Sequence, residues 1–153
     1  MSNQFKGKKL LVVGGTSGMG MQTARMVLAQ GGSAVIVGKR PEKPDAARKE
    51  LSALGAVAAL TADLSSDEGL AGMLQAIDEE HADIDLLVNA AGMFIPKPFL
   101  EHSGADYDQY MKLNKAFFFI TQKVAANLVA KERPGAIGNI GSMWANQAIA
   151  ATP

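Results

Sequence analysis

Apolar residues fall along this chain in short blocks, and two kinds of block alternate. Residues 8–13 (KKLLVV), 33–37 (SAVIV), 56–60 (AVAAL), 84–88 (IDLLV) and 136–141 (AIGNIG) are short, mostly apolar runs bounded by glycine or turn residues. Length and flanks favour strands buried on both faces over helices. Between them the apolar positions recur every three or four residues. Met19, Thr23, Met26/Val27 and Gln30 mark a helix over 18–30 that Gly31-Gly32 stops. Ala47, Leu51 and Leu54 share a face of a charged helix over 41–54, and Gly55 ends it. Ser65 and Glu68 read as the N-cap and N3 of a capping box before the Leu70, Met73, Leu74, Ile77 face. Pro96 and Pro98 make 93–103 a loop. A long helix over about 105–131 follows, with Leu113, Phe117, Ile120, Val124 and Leu128 in one stripe, before Pro134-Gly135 breaks it. Residues 142–153 read as loop.

Five strands and four helices thus alternate without a linker or repeat. That spacing predicts parallel strands joined by right-handed helical crossovers: a doubly wound α/β sheet of five strands. The 153 residues amount to one domain. Fifteen basic residues balance fifteen acidic ones, which disfavours nucleic acid or an anionic membrane as the main partner. The absence of cysteine removes disulfides, zinc-thiolate sites and thiol catalysis. No apolar run approaches the roughly 18 residues of a membrane span. The polar, basic start lacks a secretory apolar region, so a cytoplasmic protein is expected. His81 and His102 stand alone, without metal-ligand spacing, and read as structural; no metal is expected. Asp83 and Asp85 read as a solvated turn.

Ligands of such sheets bind beyond the carboxyl ends of the strands. The first turn there is Val13-Gly14-Gly15-Thr16-Ser17-Gly18-Met19-Gly20. Glycines let backbone approach a ligand, and the following helix offers free N–H groups and a positive dipole end to a pyrophosphate. Gly15 and Gly20 have P-loop spacing, but Met21-Gln22 stand where Lys-Ser/Thr is required. A strict G-x-G-x-x-G fails at Thr23. What remains is Gly14-x-x-x-Gly18-x-Gly20. At the end of the second strand, Gly38-Lys39-Arg40 offers two cations and no carboxylate. That pair would attract a 2′-phosphate and favours NADP, with NAD the alternative. The bland reading of Lys39 and Arg40 is the start of a solvated loop.

These residues resemble the short-chain dehydrogenase/reductase family, of the compact type. Its Thr-Gly-x-x-x-Gly-x-Gly fingerprint is present with Val13 in the Thr place, and Asn89-Ala90-Ala91-Gly92 is similar to its second signature. Asp63, Asn114 and Ser142 fall where the family has its adenine-binding Asp, its catalytic-site Asn and its catalytic Ser. The resemblance implies a Rossmann-type fold, its five strands in the order 3-2-1-4-5, and hydride transfer between NAD(P) and a small carbonyl or secondary-alcohol substrate. It implies that Gly14, Thr16, Ser17, Gly18, Met19 and Gly20 surround the pyrophosphate. Asp63 and Leu64 would flank the adenine, with a helix-start cap as the other reading of Asp63. Asn89, Ala90, Ala91 and Gly92 would back the nicotinamide ribose, Asn89 being partly structural. Ser142 would polarise the substrate oxygen, and Asn114 would hold a water in a proton relay. The long helix would contribute to a homo-oligomer; Phe117-Phe118-Phe119 would serve core and partner, or core alone. Trp144 would line a substrate pocket or plug the fold.

The family's Tyr-x-x-x-Lys pair is not matched. Met111 stands four residues after Tyr107, and Asn114 four after Tyr110. The resemblance therefore implies the cofactor half of the family fold, truncated after the fifth strand and inactive by itself. A nucleotide-binding regulatory module, or a half-domain completed by a second chain, are the alternatives. An unprotected edge strand would make such a chain prone to associate.

Overall fold

The computed structural model describes residues 3–143. Its sheet contains β1 (Lys9–Val13), β2 (Ser33–Gly38), β3 (Val57–Thr61), β4 (Leu86–Asn89) and β5 (Ala136–Asn139). They lie in the order β3-β2-β1-β4-β5 with every pairing parallel. The helices are α1 (Gly18–Leu28), α2 (Glu42–Leu51), α3 (Asp67–Glu80) and α4 (Gly104–Ala130). A single 3₁₀ turn, Phe99–Glu101, precedes α4.

The two-residue period of a strand divides the core. Leu10, Val12, Ala34 and Ile36 face α1 and α2, meeting Ala24, Val27, Leu28, Ala47 and Leu51. Leu11, Val13, Val35, Val37 and Leu87 face α3 and α4, meeting Ile77, Ile120, Val124 and Leu128. Each fully buried large side chain contributes about 1.5–3 kcal/mol relative to exposure. The long α4 begins with a capping box in which Ser103 and Asp106 exchange hydrogen bonds.

Four local expectations are corrected. First, α1 buries Gly20, Ala24, Val27 and Leu28, while Met19 and Met26 lie on its outer face. Space decides this: a Cβ on Gly20 would collide with the Gly14 carbonyl, so only a small residue can face the turn. Second, α3 is capped by Ser66, whose hydroxyl accepts from the Gly69 N–H at 3.0 Å. Ser65 is engaged elsewhere, through its N–H and hydroxyl on Asp63. Third, α2 stops at Leu51 and leaves Leu54 exposed.

Fourth, Asp85 is not in a solvated turn. It is buried at the amino end of β4, where it accepts the Lys9 N–H at 2.9 Å and contacts the Arg133 guanidinium and, at 3.4 Å, the Lys8 ammonium. Its main chain joins the same place: its N–H donates to the Lys9 carbonyl, and its carbonyl accepts from the Ala136 N–H. One residue therefore fastens β1, β4 and the entry to β5. Asp83 is exposed and pairs with Lys9 Nζ at 2.7 Å. The phenylalanines also separate: Phe117 packs on the core, while Phe118 and Phe119 are exposed and meet edge to face at 5.3 Å. All four residues of β5 are exposed at the edge of the sheet.

Candidate functional site

The carboxyl ends of β1, β2, β3 and β4 converge on one cleft of ≈ 470 Å³. Its floor is the turn after β1. There the Gly14 and Gly15 N–H groups both donate to the Val37 carbonyl, at 3.0 and 3.2 Å, and the Ala90 N–H donates to Val13 at 2.8 Å. Gly14 has φ +86, and a Cβ on it would run into the Ala91 backbone. Gly18 has φ +54, but a Cβ there would meet nothing within 4 Å. The first glycine is needed to close the turn; the second leaves the cleft side of the turn bare.

Ser17 precedes α1 in extended conformation and makes no side-chain cap. The first bond along α1 is Met21 N–H to the Ser17 carbonyl, 3.1 Å. Thr16, Ser17, Gly18, Met19 and Gly20 all line the cleft, so the positive end of α1 faces it. This matches what a pyrophosphate requires: N–H donors, a favourable dipole and no Cβ in the way. The position is also the switch point of the sheet: the chain goes from β1 to β2 and β3 on one side, then crosses from β3 to β4 on the other side of β1.

The two ends of the cleft differ. Over β2 and β3 it is lined by Gly38, Lys39, Asp63, Leu64 and Ser65. Lys39 Nζ lies 3.1 Å from Asp63 Oδ2 and 3.2 Å from Ser65 Oγ. The Ser65 hydroxyl and N–H both donate to Asp63 Oδ1. The Ser65 hydroxyl chiefly holds the Asp63 carboxyl below its usual range, with its N–H and Lys39 assisting against partial burial. Asp63 is thus an ionised acceptor reaching the cleft, and not the cap of α3. Arg40 lies outside the cleft lining, exposed, 3.7 Å from Glu42. Over β4 the cleft is lined by Ala90, Ala91, Gly92, Met93 and Leu113.

The remaining expected residues sit beside the cleft. Asn89 is wholly buried, and its amide donates to Asn139 Oδ1 at 2.8 Å and Thr121 Oγ1 at 3.1 Å. It ties β4 to β5 and α4. Asn114 is exposed and donates to the Tyr110 carbonyl one turn back, 3.1 Å. It shares a neighbouring groove with Phe118, Thr121, Asn139 and Gly141, and Ser142 follows that groove, exposed. Trp144 lies outside the described residues. Sequence reasoning missed Ser65, Met93, Leu113 and Tyr110 around the cleft. Of these only Ser65 carried a signal, standing two residues past an Asp in an Asx-type turn.

Among the described residues, no group of three or more His, Asp or Glu could hold a metal, and no helix is long and apolar enough to cross a membrane. His81 closes α3 and is buried; that burial pushes its pKa down.

A family model, "short chain dehydrogenase", matches residues 8–153. The chain belongs to that family. It is 37% identical over 145 residues to 2-dehydro-3-deoxy-D-gluconate 5-dehydrogenase of Escherichia coli, covering 94% of this chain and 56% of the relative. It is 32% identical over 142 residues to an uncharacterized oxidoreductase of Bacillus subtilis, covering 93% of this chain and 54% of the relative. Among solved structures, a short-chain dehydrogenase from Sphingobium yanoikuyae in complex with NADPH superposes with a TM-score of 0.83 at 30% identity. That match covers 92% of this chain and 56% of the other. The chain thus spans about half the length of the relatives it matches.

Proposed function

We propose that residues 1–153 form the cofactor-binding part of an NAD(P)-dependent oxidoreductase, with NADP the favoured dinucleotide, acting in the cytoplasm on a small carbonyl or secondary-alcohol substrate. The observation that carries this is the cleft itself. It has a bare glycine turn and a helix N-terminus in the middle, a lysine and an ionised aspartate at one end, and Gly92 at the other. The bound NADPH of the Sphingobium relative supports the same choice. Such a cofactor, when bound, supplies or accepts the hydride.

In this reading the chain's own residues bind and orient. Backbone N–H groups at 17–20 neutralise the pyrophosphate. Asp63 and Leu64 hold the adenine, and Lys39 faces the 2′-phosphate with Arg40 behind it. Ala90, Ala91 and Gly92 back the far ribose. Asn89 acts from behind, by fixing the end of β4. Ser142 hydrogen-bonds the substrate oxygen and Asn114 orders the relay water. No Tyr-x-x-x-Lys pair occurs in the 153 residues, so they bind without turnover. Phe118, Phe119 and the exposed β5 support self-association through that side of the molecule.

Titration calorimetry with NADP⁺ and NAD⁺ tests the reading. NADP⁺ binds at least about tenfold more tightly, the ratio one charge-assisted contact can supply. Failure to bind either dinucleotide overturns it.

A further inference from the structure

One wall of the cleft is held by no strand ladder. Between β4 and the 3₁₀ turn, residues 91–98 pair with no strand, yet their exposure alternates. Ala91, Met93, Ile95 and Lys97 are half-buried; Gly92, Phe94, Pro96 and Pro98 are exposed. That is the period of extended chain laid along a surface. Two contacts with the first turns of α4 fasten this strap. The Ile95 N–H donates to Tyr110 Oη at 2.8 Å, and Lys97 Nζ donates to Asp106 Oδ2 at 2.6 Å. Asp106 is already committed to Ser103 in the capping box, so it belongs to the helix start. Tyr110 lies further along, and Leu113, three residues on, lines the cleft beside Met93. A single turn of α4 therefore both grips the strap and supplies the wall next to it.

We propose that Tyr110 is a positioning residue for the β4 end of the cleft. Its phenol takes the Ile95 N–H, midway between Met93 and Lys97, and so sets where Met93 stands against a bound ligand. The assignment rests on the dinucleotide reading above. Lys39 and Asp63 lie at the opposite end, over β2 and β3. Ala90, Ala91 and Gly92 already back the far ribose, so the influence of Tyr110, acting through Met93, falls on the nicotinamide and spares the rest of the ligand.

The test is titration of the chain and of Tyr110→Phe with two probes: NADP⁺, and 2′-phospho-ADP-ribose, the same molecule without its nicotinamide. Losing the phenol acceptor weakens NADP⁺ about three- to tenfold, the range of one hydrogen bond, and leaves 2′-phospho-ADP-ribose within about twofold. Equal weakening of both probes, or of neither, overturns the role of Tyr110 while leaving the dinucleotide reading intact. An unaltered chain that binds neither probe overturns that reading and this one with it. Should Tyr110→Phe fail to fold, amide exchange in the unaltered chain decides. Saturating NADP⁺ slows exchange of the Ile95 amide at least threefold more than saturating 2′-phospho-ADP-ribose does. Equal protection by the two probes overturns the proposal.

Discussion

Two aspartates stand at opposite ends of the same sheet, each beside basic side chains. Asp85 enters β4 with its side chain 2% exposed, and Asp63 leaves β3 with its side chain 42% exposed. Both carboxyls are held below their ordinary range. At Asp85, burial pushes the pKa up, and the Lys9 N–H and Arg133 outweigh it, with Lys8 adding to them. At Asp63 the nearby Ser65 hydroxyl acts first and water competes for every contact. The same residue type therefore serves the fold at one end and stays available to a ligand at the other. What separates the roles is solvent, because an ion pair in water is worth little and a buried carboxylate stripped of partners is costly.

The comparison breaks most visibly at Asp85. Asp85→Ala strands the Lys9 N–H and the Arg133 guanidinium and lowers unfolding free energy by about 3 kcal/mol, read in urea denaturation. A loss below about 1 kcal/mol would reduce Asp85 to an ordinary surface acid. At the other end, Gly18→Ala costs about 1 kcal/mol of stability, because an L-residue is forced to positive φ. It abolishes most dinucleotide binding, since its Cβ enters space a pyrophosphate needs; unchanged calorimetric affinity would sink that assignment. Lys39→Met lowers NADP⁺ affinity about five- to tenfold and NAD⁺ affinity less than twofold. Equal effects on the two would place Lys39 away from the 2′-phosphate. Asp63→Asn moves stability by no more than about 0.5 kcal/mol.

Acid sharpens the same contrast. A carboxyl whose pKa is lower folded than unfolded stabilises the fold above its ordinary value, and that contribution disappears as pH falls through the folded value. Asp85 has its ordinary value at 3.8, so the unaltered chain loses stability steeply below about pH 4. Asp85→Asn starts less stable and loses less on acidification. Parallel pH profiles for the two proteins would show that Asp85 does not carry the dependence.

Much of this was legible in the sequence. Strand runs and glycine stops are local signals, and the five strands and the glycine turn followed from them; the strand order came with the family resemblance. Gly14, Thr16 to Gly20 and Lys39, which line the cleft, stood out from the turn and the strand end, whereas Asp63 and Ala90 to Gly92 stood out only through the family resemblance. What escaped depends on partners far along the chain. Nothing around Asp85 announces that its carboxylate meets residues 76 and 48 positions away. The buried face of α1 escaped for another reason. Hydrophobicity pointed to Met19 and Met26, whereas close approach of the Gly14 turn selected Gly20 and turned Ala24 with it toward the core. Ser65 reads as the cap because Glu68 stands three residues on; its commitment to Asp63 leaves that role to Ser66. Tyr110 carried no motif, because its acceptor role exists only once the strap lies across α4.

The Asp85 junction also bears on rates. It joins three segments that meet only after the crossovers between them have formed, so its bonds close late, when most loop entropy has already been spent. Contacts made after the transition state govern escape from the native state more than arrival at it. Asp85→Ala therefore accelerates unfolding while refolding keeps nearly its original rate. The amino-terminal edge of the sheet is in this sense a lock on the lifetime of the folded chain.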